Sequence, residues 1–105
     1  MFFGLFGDKD LDRFARGLAK ELGTRFPPAT LKAERLPETK YNAMLSKALQ
    51  HVFLLTQNYC RDHKVGLLKK ARLSKIFQDE LVSLGYEAQF IEHVTFSLAD
   101  RLSKL

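Results

Sequence analysis

A chain of 105 residues has room for one domain with a modest core and not for two, so residues 1–105 are read as a single helical domain. Its 46% hydrophobic and 28% charged residues exclude a disordered or low-complexity chain, and its one cysteine, Cys60, excludes an intrachain disulfide framework. Lysine and arginine number 17 against 12 aspartates and glutamates, a formal charge of +5 that favours acidic or polyanionic partners without specifying one. A lone cysteine fits a reducing compartment, and a cytoplasmic location is the expectation.

The chain opens MFFGLFG, three phenylalanines and a leucine with no charge, the core of an apolar N-terminal segment spanning residues 1–9. It does not read as a signal peptide, because a basic leader is missing, the apolar run is short, and Asp8, Asp10 and Asp12 follow at once. No stretch of the chain approaches the roughly 20 apolar residues of a bilayer span. Membrane contact is not expected either, since those three aspartates would be repelled by anionic headgroups and interfacial helices usually carry Lys or Arg beside their apolar face. The final Ser103-Lys104-Leu105 matches the peroxisomal tripeptide, a pattern that three residues also meet by chance.

From Asp10, LDRFARGLAKEL sets Leu11, Phe14, Ala15, Leu18, Ala19 and Leu22 on one helical face, with Arg13, Arg16 and Lys20 opposite. Asp8 or Asp10 can cap this helix, Gly23 can end it, and Asp12 to Arg16 and Glu21 to Arg25 have i, i+4 ion-pair spacing. The helix is placed at about 10–23. Pro27, Pro28 and Pro37 then break helical continuity, and residues 24–37 read as a connection across the bundle.

The longest helical pattern covers about 38–64, with Gly66 just beyond it. Its apolar residues, from Tyr41 and Met44 through Leu49, Val52 and Phe53 to Cys60, cover about half of the circumference. A stripe this broad predicts the central helix. A further helix at about 69–84 is patterned by Leu73, Ile76, Phe77, Leu81 and Leu84 and stopped by Gly85, whereas Leu67 and Leu68 fall off its stripe. The last, about 87–103, aligns Phe90, Ile91, Val94, Leu98 and Leu102 and leaves Phe96 and Ala99 outside. With no strand-length alternation, the fold is all-α, a bundle of four main helices. The short loops predict that the last three are antiparallel neighbours.

Chemistry-bearing motifs are sparse. The six glycines at 4, 7, 17, 23, 66 and 85 form neither a phosphate-binding loop nor a dinucleotide fingerprint. Asp79 and Glu80 are adjacent and point to different sides of a helix, so they do not read as an acid and base couple. Cys60 and His63 stand i, i+3 and supply at most half a metal or thiol–base site, with His51 and His93 at no ligand-like spacing. They read better as a buried thiol and a capping histidine. No catalytic residue, metal site or cofactor is assigned, and no enzyme is expected.

The densest charge feature is RDHKVGLLKKARLSK, in which Arg61, Lys64, Lys69, Lys70, Arg72 and Lys75 are opposed in sequence only by Asp62. Such a cluster could neutralise several phosphates, so a nucleic-acid-binding module using residues 61–75 is the alternative function. A helix-turn-helix about Gly85 is disfavoured, because its second helix would open with Glu87 and soon add Glu92. After the four stripes are filled, Phe2, Phe3, Leu5, Phe6, Leu54 and Phe96 remain as an apolar surplus. The leading expectation is therefore a small non-enzymatic adaptor or regulatory module that docks a protein partner or a second copy of itself through these residues.

Urea and thermal unfolding of the full chain beside one starting at Asp8 assigns the N-terminal segment. Burying even two phenylalanines contributes a few kcal/mol. A loss of that size marks the segment as core, and an unchanged midpoint marks it as a docking element.

Overall fold

The structure, a computed structural model, describes the backbone of residues 8–32 and 37–105 and the side chains of 8–30 and 37–105. In chain order come α1 (Lys9–Arg25), a 3-10 turn (Pro28–Lys32), α2 (Glu38–His63), α3 (Leu67–Leu84) and α4 (Ala88–Ser103). No strand forms among the described residues, so the fold is the all-α bundle of four helices that the apolar periodicities predict. None of these helices is long and apolar enough to cross a membrane.

Helix α1 is capped by Asp8, whose Oδ1 accepts the Leu11 N–H at 3.0 Å. It does not stop at Gly23, as the sequence suggests, but continues to Arg25 and closes with the Phe26 N–H donating to the Leu22 carbonyl at 2.7 Å. Proline sets this end rather than glycine: Pro27 has no N–H to continue the ladder and drives Phe26 out of the helical region, to φ −142°. Helix α2 ends at His63, with Gly66 just beyond it as the sequence indicates. Lys64 takes the left-handed position at φ 50°, and Gly66, in extended backbone, becomes the N-cap of α3. A non-glycine residue held there costs about 1 kcal/mol. Gly85 at φ 93° does end α3 as expected.

Contacts between side chains fix the direction of every helix. Asp8 and Asp12 meet Lys69 and Arg72 at one end, and Gly23 lies beside Leu84 and Tyr86 at the other, so α1 and α3 run parallel. Phe14 stacks on Tyr59 at 3.9 Å and His51 meets Glu21 at 3.2 Å, which sets α2 antiparallel to α1. The α1–α3 pair is packed most extensively, followed by α3–α4 and α1–α2, and α2–α4 is the lightest of the four packed pairs. The helices thus form a ring in the order α1, α3, α4, α2.

Two expectations are corrected by this arrangement. Sequential neighbours α2 and α3 are antiparallel but lie across the ring from each other with at most marginal contact, since the short loop at 64–66 spans a diagonal. And α2 is not the central helix: only Ala48, Val52, Thr56 and Cys60 are buried on it, whereas Leu11, Ala15, Leu18, Ala19 and Leu22 of α1 are at most 1% exposed. The broad stripe of α2, by contrast, is spread over two flanks and leaves Leu45, Leu49 and Phe53 half-buried at the margin of the core.

The end of the bundle where α1 finishes is closed by aromatic rings. Phe26 meets Tyr41 edge-on at 5.2 Å and stacks on Phe90 at 5.6 Å, and Phe90 stacks on Tyr86 at 4.8 Å. The Tyr86 hydroxyl donates to the Phe26 carbonyl, an acceptor that the end of α1 would otherwise bury without a partner. Burial pushes the Tyr86 phenol up to about 12. The folded state therefore holds the proton more tightly than the unfolded chain, and stability is complete below the ordinary value of 10 and falls as pH rises from 10 towards 12. Tyr86→Phe is expected to cost about 1–3 kcal/mol at neutral pH by orphaning that carbonyl, and to flatten the alkaline limb of a urea-midpoint profile taken over the same range.

Candidate functional site

Two surface regions carry what the core does not absorb. The first is the seam between α2 and α4. Leu45, Leu49 and Phe53 of α2 face Arg101 of α4, whose guanidinium lies 4.9 Å over the Phe53 ring. This cation–π contact bridges helices that otherwise pack lightly. A continuation of the same groove, sharing Phe53 and Arg101, is lined by Phe96, Ser97, Asp100 and Lys104. Phe96 is 72% exposed, and Leu54, on the outer side of α2, is 55% exposed. Phe2, Phe3, Leu5 and Phe6, the other members of the apolar surplus, lie outside the described residues.

The second region is the end at which α1 and α3 begin and α2 and α4 finish. Here the six cations of the 61–75 cluster are divided. Lys69 Nζ is 3.0 Å from Asp8, and Arg72 makes a two-pronged pair with Asp12, both N–O distances being 2.8 Å. Lys75 pairs with Asp79 at 3.1 Å. The carboxylates of α1, sixty residues away in sequence, therefore occupy cations that appear unopposed in the linear chain, and Asp12 turns to Arg72 rather than to its i, i+4 neighbour Arg16. Glu21 does make its expected pair with Arg25, at 3.5 Å.

Arg61, Lys64 and Lys70 are the members that converge. They line a groove of about 450 Å³ together with Cys60, Val65 and Leu105. Lys70 also lines the adjoining groove of about 340 Å³, between α3 and α4, whose walls include Leu67, Ala71, Ala99 and Leu102. Its ammonium donates to the Leu105 backbone oxygen at 3.3 Å, and Arg61 pairs with Asp62 at 3.3 Å, both side chains about two-thirds exposed. The Ser74 hydroxyl, in the wall of the second groove, is buried with no hydrogen-bond partner among the described residues. Leu67 and Leu68 open α3 beside these cations at 81% and 67% exposure, the largest exposed apolar pair among the described residues. The sequence marks them only as residues that miss the α3 stripe.

Neither region assembles a catalytic constellation. Burial pushes the Cys60 thiol up, with nearby Lys70 opposing the shift, so the sulfur stays protonated and unreactive at neutral pH. His63 donates its Nδ1–H to the Tyr59 carbonyl at 3.0 Å and stacks on the Tyr59 ring at 4.0 Å, a capping role. Among the described residues no three His, Cys, Asp or Glu side chains come together as a metal site.

The ion pairs have a pH signature. The Leu11 N–H and then Lys69 hold the Asp8 carboxyl below its usual value, and Arg72 does the same to Asp12. Both contribute stability that is fully present above the ordinary 3.8 and is lost as pH falls through the depressed values. Asp12→Asn is expected to lower the melting temperature at pH 7 and to reduce the further loss on acidification below about pH 4; circular-dichroism melts across that window read both effects. Comparisons with protein-family models, curated proteins and solved structures find no match for the chain.

Proposed function

We propose that the protein is a small non-enzymatic helical interaction module, an adaptor or regulatory subunit that docks through the α2–α4 seam. The observation that carries this reading is Phe96, an aromatic side chain 72% exposed at the lip of a groove whose floor is Phe53, Leu49 and Leu45. Large exposed aromatic residues beside a half-buried apolar floor supply the desolvated centre of an interface, and Arg101 with Asp100 and Lys104 supplies a polar rim.

The seam suits a homodimer. A twofold pairing lets the Phe96 ring of each copy enter the other's groove, and the mixed charges of Asp100, Arg101 and Lys104 allow like faces to meet without net repulsion. Light scattering over a concentration series is expected to show dimers for the wild type and monomers for Phe96→Glu, a solvent-facing change that leaves the core intact. A strict monomer at high concentration, with no partner captured from a lysate that Phe96→Glu fails to capture, would sink the reading.

A further inference from the structure

We propose that the second of these regions, the basic and apolar end formed by the finish of α2 and the start of α3, docks on an anionic phospholipid surface. Three observations converge there. Arg61, Lys64 and Lys70 surround one groove with an apolar floor of Cys60, Val65 and Leu105. Leu67 shares the adjoining groove with Lys70, and Leu67 and Leu68 keep 81% and 67% of their surface in water. The groove continues past Lys70 into a second apolar trough at Ala71, Ala99 and Leu102. Cations at headgroup height next to apolar side chains able to enter the acyl boundary are the two elements that interfacial binding requires.

The sequence argues against lipid on the ground that Asp8, Asp10 and Asp12 would be repelled. The fold answers that objection: Asp8 is neutralised by Lys69, Asp12 by Arg72, and Asp10 lies 3.9 Å from Arg13. Lys64 adds a further sign. It holds a left-handed conformation that glycine would adopt with less strain, and it carries its cation at the turn between α2 and α3.

A nucleic acid fits the same end less well. Lys69 and Arg72 are held by Asp8 and Asp12 in the least exposed of the ion pairs, which breaks the basic stripe a phosphate backbone would follow. Among the described residues no aromatic ring lines either groove for a base to stack on. A nucleic acid would also leave Leu67 and Leu68 in water.

The test is co-sedimentation of the full chain with vesicles of equal parts phosphatidylglycerol and phosphatidylcholine, beside vesicles of phosphatidylcholine alone. Binding to the anionic vesicles is expected, weakened by salt, about fivefold weaker for each of Lys64→Gln and Arg61→Gln, and at least about tenfold weaker for the Leu67→Glu/Leu68→Glu pair. All these side chains are exposed, and an unchanged thermal melt verifies that each variant is folded. The proposal is overturned by failure to sediment, by equal binding to uncharged vesicles, or by undiminished binding of the double-leucine variant. It is equally overturned if inorganic phosphate displaces the protein from vesicles at matched ionic strength, which would make the groove a soluble-anion site. Retardation of oligonucleotides or capture of an acidic protein without vesicle binding would also overturn it. None of these readouts depends on Phe96 or on dimerisation.

Discussion

Parallel neighbours in a bundle cannot be joined by a tight turn, and the parallel packing of α1 against α3 therefore governs the rest of the chain. Between them the polypeptide must return the full length of the bundle, and α2, at 26 residues about 39 Å long, is that return. Helix α1 is the most deeply buried helix although it is far from the longest. Helix α2 is pushed to the outside of the pair, and its short turn to α3 has to cross a diagonal. The half-buried margin of α2, and hence the open seam with α4, follows from that displacement.

The same packing decides the electrostatics. Setting α1 and α3 side by side in the same direction brings the aspartates that suit the start of one helix against the cations near the start of the other. The two helix N-termini lie together, an arrangement with unfavourable dipole alignment, and Asp8 and Asp12 offset it while also pairing Lys69 and Arg72. What is left of the basic cluster is a compact group, Arg61, Lys64 and Lys70, around an apolar groove. A charge surplus that reads as a stripe in sequence becomes a localised amphipathic patch.

Both unabsorbed surfaces are consequences of a core that is complete without them. The stripe of α4 from Phe90 to Leu102 is buried, so Phe96 has nowhere inward to turn. Leu73, Phe77 and Leu81 fill the inner face of α3, so Leu67 and Leu68, six and five residues before Leu73 and on other faces, project into water. The two surfaces lie on different parts of the bundle, one along the α2–α4 seam and one at the end where α3 begins.

Local pattern in the sequence was enough to determine the number of helices, their inward faces and several of their ends. The i, i+3, i+4 spacing from Leu11 to Leu22 and from Phe90 to Leu102 matches the buried faces, and Gly85 stops α3 because only a left-handed residue closes that turn without strain. Pro27 carried the signal for the end of α1, but Gly23 competed with it, and a glycine inside a well-packed helix costs too little to break it. Only the tertiary structure decided which helix is central, since periodicity reports the width of an apolar face and not the closeness of its partner. Only it decided which cations remain available, because Asp12 and Arg72 stand sixty residues apart and no local window relates them. The convergence of Arg61, Lys64 and Lys70 with the exposed Leu67 and Leu68 likewise arises from the left-handed turn at Lys64, which folds the end of α2 back beside the start of α3.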